Sequence, residues 1–333
     1  MSARARCERY LVAAWYGTHP LWWAVPLVPL YALLLMLRRG WSVMVGAVGV
    51  GVPVVVVGNV ALGGTGKTPL VAWLVAALRA RGYRPAVLAR GHGGSARRPQ
   101  LVGAQADPAV VGDEPLLLAR RTGVPLAVGR DRVAALALLH EVHPEVDVVV
   151  SDDGLQHRRM ARDVEVLVFD GARGAGNGWL LPAGPLREAL APALARADAL
   201  VYTGQGPAGA MVMALEPGAA VQLADGAARP LAAFAASRVH AVAGIGNPER
   251  FFTMLERLGM VVDRHPFPDH HPLHAGELEF GDDAPVLLTE KDTVKLAAGV
   301  RPGVWCVPVA ARFVPADAEL LVGAVVQGLP PPR

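Results

Sequence analysis

The sequence predicts an α/β fold: a P-loop nucleotide-binding domain on a mostly parallel sheet, a second, smaller α/β domain, and an N-terminal helical segment at a membrane interface. Three observations predict it. A glycine-rich run, Gly58–Thr68, stands between a valine run and a helical pattern, the setting a phosphate loop needs. The later β-branched runs are continuous, which marks strands covered on both faces of a parallel sheet. Leu21–Leu37 carries no charge but is shorter than the roughly 20 apolar residues of a spanning helix.

The 333 residues suggest two domains at about 150 residues each. Hydrophobic residues make up 53% and charged residues 18%, and mean hydropathy is +0.34. A disordered chain is therefore excluded and a sizeable core is available. The two cysteines, Cys7 and Cys306, make no disulfide framework, no Cys/His spacing fits zinc, and a reducing compartment follows. Of 32 basic residues only Lys67, Lys291 and Lys295 are lysines. The net charge of +3 is concentrated before residue 40, in Arg4, Arg6, Arg9, Arg38 and Arg39 against Glu8. A nucleic-acid binder spreads more positive charge along a face, so no nucleic-acid partner is expected.

Residues 1–45 are expected to associate with a membrane. Trp22, Trp23, Tyr31 and Trp41 with Arg38-Arg39 suit a segment in the headgroup region with its arginines on the cytoplasmic side. Pro26 and Pro29 are expected to break or kink a helix there. The P-loop domain is assigned to 46–232. Its expected strands are Pro53–Val57, Pro85–Ala89, Val146–Ser151, Val164–Phe169 and Ala199–Tyr202, with a helix over Pro69–Arg81 closed by Gly82. Residues 204–230 are rich in Gly, Pro and Ala and weakly patterned. The second domain is assigned to 238–325, with strands at Val239–Gly244, Met260–Val262 and Pro285–Thr289 and a helix over Pro248–Leu258. The tail, QGLPPPR, is expected to be loose.

The strongest chemical signal is GNVALGGTGKT. Its glycines let backbone N–H groups surround phosphate oxygens at a helix N-terminus. Ala61, Leu62, Gly63, Gly64, Thr65, Gly66, Lys67 and Thr68 are the nucleotide-binding candidates, with Lys67 reaching the β/γ-phosphates and Thr68 holding Mg²⁺. The usual G-x-x-x-x-G-K-[ST] pattern would have Gly at position 61, where this chain has Ala61. The valine run that ends in Ser151-Asp152-Asp153-Gly154 places acids where a P-loop fold organises Mg²⁺. Gln156, His157, Arg158, Arg159 and Arg162 follow, a possible phosphate contact or a solvated face. Gly112-Asp113-Glu114-Pro115 reads by itself as a turn opening a helix, with Pro115 at its first position. His265, His270, His271 and His274 lie near Asp269 without a metal-binding spacing.

These elements in this order resemble the tetraacyldisaccharide 4′-kinase family, the lipid A 4′-kinases of Gram-negative bacteria. The shared motifs are VGNxxxGGTGKTP (Val57–Pro69), LARGxGG (Leu88–Gly94), GDEP (Gly112–Pro115), SDDGLQHxxxxRD (Ser151–Asp163), LLPAGPLRE (Leu180–Glu188), GIGNPxxFF (Gly244–Phe252), FPDHH (Phe267–His271) and LLTEKDxVKL (Leu287–Leu296). The family commonly has a small residue at the position of Ala61. The resemblance implies ATP-dependent phosphorylation of the 4′-hydroxyl of a tetraacylated glucosamine disaccharide 1-phosphate. It implies Asp113 as base with His270 as its partner from a second domain that closes over the site, Lys67 on the donor phosphates, and Asp152 and Asp153 serving Mg²⁺ with Thr68. Asn59, His92, His157, Arg187 and Glu188 fall in motifs that line the site, His92 standing where the family often has Tyr. The implied partners are the acylated lipid and the inner-membrane surface, with the chain a monomer on the cytoplasmic face.

Two other classes remain open on the residues alone. A membrane-docked P-loop NTPase switch without a lipid acceptor would carry a guanine motif. Thr289-Glu290-Lys291-Asp292 has one residue too many for it, and Leu62 stands where the paired-lysine loop form has Lys. A scaffold with a vestigial nucleotide site is disfavoured by the intact Lys67-Thr68.

Overall fold

A computed structural model describes residues 10–269, 271–296 and 300–332. His270 and Cys7 lie outside the described residues.

Two sheets organise the chain. The larger has nine strands in the order β15-β8-β7-β6-β1-β5-β2-β4-β3. In chain order these are β1 (Val54–Gly58), β2 (Pro85–Ala89), β3 (Gln100–Leu101), β4 (Leu126–Val128), β5 (Val148–Asp152), β6 (Val164–Asp170), β7 (Ala199–Thr203), β8 (Met211–Pro217) and β15 (Val309–Phe313). β1 is fully buried, and its side chains alternate between two cores. Val55 and Val57 pack with Leu70, Leu74 and Leu78 of the helix Lys67–Ala80. Val54 and Val56 pack with Leu136 and Leu139 of the helix Arg132–Val142 on the other face. Helices thus cover both faces, which explains the continuous valine runs.

Strand order reverses at β1. The chain leaves β1 toward β2, returns to fill the gap with β5, then places β6 on the opposite side of β1. Such a switch point opens a crevice beyond the C-terminal ends of the strands. The parallel register sets Val57 beside Asp152, so the acids following β5 arrive level with the start of the phosphate loop.

The second sheet has six strands in the order β10-β9-β14-β13-β11-β12: β9 (Ala220–Gln222), β10 (Ala228–Arg229), β11 (Arg238–Ala243), β12 (Val261–Pro266), β13 (Val286–Thr289) and β14 (Val304–Val307). It has its own cores around Phe234, Phe252 and Leu287 and around Val242 and Leu288.

The expected domain limits of 46–232 and 238–325 differ from where the chain changes sheet. It enters the second sheet between β8 and β9, so residues 220–229 belong there. After β14 it returns: β15 pairs antiparallel with β8, and the helix Pro315–Gln327 buries Leu321, Val322 and Val325 in the first core. β8 is only partly buried, so its hydrophobic pattern is too weak to announce a strand. β12 runs further than expected because its partly exposed second half carries Asp263, Arg264 and His265, which mask a strand pattern. The described part of the tail is packed, not loose: Tyr83 donates to the carbonyl of Pro330 at 2.9 Å, and Leu329 packs on the first core.

At the N-terminus a 3₁₀ turn (Trp22–Leu27) leads into an α-helix, Val28–Val45. Pro29 stands in the first turn of that helix, where a missing N–H costs nothing, so the prolines start the helix and do not break it. Trp22–Val45 forms one 24-residue apolar helical stretch, and none of its most apolar 18 residues is buried. By length and composition it could cross a membrane, which the uncharged run alone was too short to suggest.

Candidate active site

The phosphate loop follows β1 and opens the helix Lys67–Ala80. Gly66 caps that helix with φ at +82°, a left-handed conformation that glycine adopts without a steric penalty. Asn59, almost fully buried, latches the loop. Its amide donates to the carbonyl of Ala61 at 2.6 Å and to that of Gly63 at 3.3 Å. Its Oδ1 accepts from Lys67 Nζ at 3.1 Å. The expected substrate residue is therefore part of the loop's own frame. Ala61 and Leu62 are tied to the LLPAGPLRE segment: Ala61 bridges Leu186, Leu62 N donates to Pro185 O at 2.9 Å, and Arg187 N to Val60 O at 2.7 Å. The carbonyl of Thr65 accepts from Thr203 Oγ1 at 2.7 Å, while its own hydroxyl is buried without a partner.

Two carboxylates face Lys67 and behave differently. Asp153, at φ +51°, accepts from Arg187 at 3.2 Å through both oxygens and lies 3.6 Å from Lys67 Nζ. Burial raises its pKa, but Lys67 and Arg187 outweigh that and hold it below the ordinary carboxylate value. Asp152 is buried, and desolvation, then the nearby Glu114 carboxylate, pushes it up to about 7. Its Oδ1 has no hydrogen-bond partner, although buried polar atoms are almost always satisfied. An orphaned buried carboxylate oxygen beside a phosphate loop suits a hard divalent cation such as Mg²⁺, with the Thr68 hydroxyl as a further oxygen donor. Among the described residues no His/Cys/Asp/Glu cluster of three or more forms a metal site by itself. A cation that takes part of its coordination from phosphate oxygens and water needs none.

Arg132 completes the acid pair, and no motif announced it. It is buried, donates to the carbonyl of Asp152 at 2.8 Å, and is lowered by desolvation to about 10, so it stays charged. It reaches the site because Asp131 caps the helix Arg132–Val142, which packs beneath β2 and β4. Gln156 is a second connector, donating to Asn59 O and accepting from Arg187, each at 3.3 Å.

The GDEP segment arrives differently from the expectation. The helix starts at Asp113 with Gly112 as its cap, so Pro115 is its third residue. Gly112 has φ +92°, and a Cβ there would stand 2.5 Å from the carbonyl oxygen of His92. The LARGHGG loop thus presses on GDEP through its backbone, and the His92 side chain itself is exposed. Asp113 is buried, with one oxygen 3.7 Å from Lys295 Nζ. Glu114 pairs with Lys291 at 3.1 Å. Both lysines belong to the second sheet's LLTEKDxVKL motif, so that unit sits on the site through Asp113 and Glu114. Lys291 also pairs with Asp269 at 3.1 Å. Burial would lower its pKa, but the two carboxylates raise it overall.

Other expected site residues have structural partners. Glu188 is buried and binds Arg158 and Arg196 at 2.8 Å each. Glu165 takes Arg162 at 3.1 Å and Arg196 at 2.7 Å. Arg158 and Arg162 are therefore engaged by protein carboxylates, while Arg159 is exposed. Burial, then Arg132, lowers His157 to about 4, so its ring is neutral at pH 7.

The N-terminal helical region touches this machinery. Tyr16 donates its hydroxyl to the carbonyl of Leu62, Tyr31 to that of Arg187 at 2.9 Å, and Arg38 to that of Gln156 at 3.2 Å. Nothing in an aromatic-flanked apolar run distinguishes a tyrosine that anchors from one that braces a loop.

Comparison with known proteins gives one consistent result. The family model described as tetraacyldisaccharide-1-P 4′-kinase matches residues 20–327. A tetraacyldisaccharide 4′-kinase of Alkalilimnicola ehrlichii is 52% identical over 334 aligned residues, covering 95% of this chain and 97% of that protein. One from Azoarcus sp. is 49% identical, covering 92% of each. Among solved structures, LpxK from Aquifex aeolicus in complex with ATP superposes with a TM-score of 0.75 at 26% identity, covering 92% of this chain and 98% of that one.

Proposed function

The chain belongs to the tetraacyldisaccharide-1-P 4′-kinase family, and we propose that it transfers the γ-phosphoryl of ATP to the 4′-hydroxyl of a tetraacylated glucosamine disaccharide 1-phosphate, with Asp113 as base. It is a lipid A 4′-kinase by family. The observation that carries the finer reading is the convergence of Lys67, Asp152 and Asp153 with the Asp113-Glu114 helix start at one switch point.

In this reading the loop N–H groups and Lys67 hold the β- and γ-phosphates, Lys67 leaving Asn59 and Asp153 for the more negative phosphate oxygens. Thr68, Asp152 and Asp153 would hold Mg²⁺, which when bound neutralises phosphate charge and fixes phosphate orientation. Arg132 keeps the Asp152 backbone in place, and Arg187 sets the Asp153 carboxylate. Asp113 accepts the proton of the 4′-hydroxyl as its oxygen bonds to the γ-phosphorus and the bond to the β–γ bridging oxygen breaks, releasing ADP. His270, as the family motif implies, orients Asp113 from the second domain. The transition state for such transfer is loose, so positioning and electrostatics supply most of the acceleration.

The apolar helix suits a lipid acceptor. Trp22, Trp23, Leu30, Leu33, Leu34, Leu37 and Trp41 are exposed, more apolar surface than a soluble monomer leaves open without reason. A helix lying in the cytoplasmic face of the inner membrane would bring the headgroup layer to Arg187 and Gln156. The test is transfer of label from γ-labelled ATP to tetraacyldisaccharide 1-phosphate, with a deacylated disaccharide and acceptor-free hydrolysis as controls. Hydrolysis unaffected by the acceptor would overturn the kinase reading in favour of an NTPase switch.

A further inference from the structure

We infer that Lys295 is a positioning residue for Asp113, an ammonium on the second domain that aims the carboxylate on the first. The inference rests on the reading of Asp113 as the base and adds the group that sets it.

Three oxygens converge on Lys295 Nζ. Asp292 Oδ1 lies at 2.8 Å, the carbonyl of Gly244 at 3.4 Å and Asp113 Oδ2 at 3.7 Å. The lysine side chain is 4% exposed. Asp292 is itself fixed, its Oδ2 accepting from Gly244 N at 2.8 Å and Thr289 Oγ1 at 2.6 Å. The slot has no spare room: a Cβ on Gly244 would stand 2.8 Å from Asp292 Oδ1 and 3.5 Å from Nζ. This gives GIGNP a physical reason for its first glycine. The ammonium is thus held rigidly by the second domain and offers one charge across the interface to Asp113.

Composition supports the same point. The chain has 32 basic residues and only three are lysine; the bias places arginine wherever arginine serves. All three lysines are at the site. Lys67 is in the phosphate loop, Lys291 is 3.1 Å from both Glu114 and Asp269, and Lys295 faces Asp113. A compact ammonium with tetrahedral donors fits three converging oxygens, whereas a planar guanidinium does not. Among the described residues, the charged groups around the pair include Asp292 on its own element, Glu114 beside Asp113, and Lys291 and Asp269 next to Glu114.

An opposite charge this near favours the carboxylate and draws one of its oxygens toward the second domain, which orients the group proposed as the base. Asp113 is then a competent base only while the second domain is seated.

The experiment uses the full chain in mixed micelles with ATP and tetraacyldisaccharide 1-phosphate. It records kcat, both KM values, the pH profile of kcat/KM for the lipid, and melting temperature for Lys295→Met, Lys295→Gln, Lys295→Arg and Asp113→Asn. The expected result is a kcat lower by roughly 10–100-fold for Lys295→Met and Lys295→Gln, the scale of a misplaced reacting group. The acid limb of the profile should rise by about one unit or more, because the charge that kept Asp113 ionised is gone. The KM for ATP should stay within about twofold, since ground-state nucleotide binding is untouched. Lys295→Arg should not restore kcat. If whichever of Lys295→Met and Lys295→Gln folds keeps the wild-type acid limb while Asp113→Asn is inactive, Lys295 is only structural and the inference fails with the base reading intact. If Asp113→Asn retains wild-type transfer, the base reading fails and the inference with it.

Discussion

The hydroxyl of Tyr31 donates a 2.9 Å hydrogen bond to the backbone carbonyl of Arg187, the residue whose guanidinium holds Asp153. The apolar N-terminal helix and the acid of the phosphate site are therefore one residue apart. Tyr16 makes a parallel contact to Leu62 inside the phosphate loop. Truncating the N-terminus would remove the proposed anchor and the braces together, so only a point substitution separates the two roles. Tyr31→Phe should cost one hydrogen bond, about 1 kcal/mol, and lower kcat about three- to tenfold while leaving sedimentation with phospholipid vesicles unchanged. Loss of vesicle binding at an unchanged kcat would show that Tyr31 anchors and does not brace.

Lys67→Ala should leave the fold intact, because among the described residues the side chain's polar contacts are to Asn59 and Asp153 at ordinary distances. Its loss from the transferring phosphoryl should cost on the order of 3–4 kcal/mol, by analogy with a single oxyanion donor. A purified variant that keeps more than about a tenth of wild-type kcat contradicts the assignment of Lys67 to the donor phosphates.

Asp152 predicts a pH-dependent stability. Its folded pKa is raised to about 7 from an ordinary 3.8. A group raised in this way contributes stability that is fully present below its unfolded value and lost as pH climbs through the folded one. The nucleotide-free protein should lose this contribution between about pH 4 and about pH 7. Asp152→Asn has no such loss, so its melting temperature relative to wild type should rise by roughly 2–6 °C from about pH 5 to about pH 8. MgATP should stabilise wild type more than the variant at the higher pH. Calorimetry that finds the same difference at both pH values removes the buried-carboxylate argument.

Glu188 distinguishes a structural role from a ligand role. One of its oxygens serves both Arg158 and Arg196, and removing one partner of a buried ion pair typically costs about 3 kcal/mol or more. Glu188→Gln should therefore melt earlier, with KM for the lipid near wild type at a temperature where it is folded. A raised KM at unchanged stability would instead place Glu188 against the substrate.

Asp113 and His270 should behave as a unit if they form a dyad. Each alanine variant should lower kcat, within the roughly 10²–10⁴-fold worth of a positioned base, with little change in ATP affinity. The double variant should then be scarcely worse than the worse single, because groups acting together are non-additive. Fully multiplicative losses in a double-mutant cycle, with melting temperatures measured alongside, would sink the dyad even if both residues proved necessary.

Much of this molecule was legible in one dimension because its signals are local. A glycine loop between a buried strand and a helix announces itself within eleven residues, Gly58–Thr68. Fully buried strands such as Val54–Gly58 carry an unbroken β-branched pattern, since both faces are covered. The ordered motifs carried the family. What stayed hidden depends on residues far apart in the chain. β8 and β15 are partly exposed and pair across about ninety residues, so neither had a pattern of its own. Arg132 looks like any helix-start arginine until the fold buries it against the carbonyl of Asp152. Glu188 sits in a site motif, yet the arginines that claim it lie 30 and 8 residues away. The three lysines were countable in the sequence, but a count has no direction. Only the seating of the second sheet on the first brings Lys295 to Asp113 and Lys291 to Glu114. Local backbone preference and hydrophobic period are written into the order of residues, whereas charge pairing across a domain interface falls off within a few ångströms and exists only once tertiary packing has closed the distance.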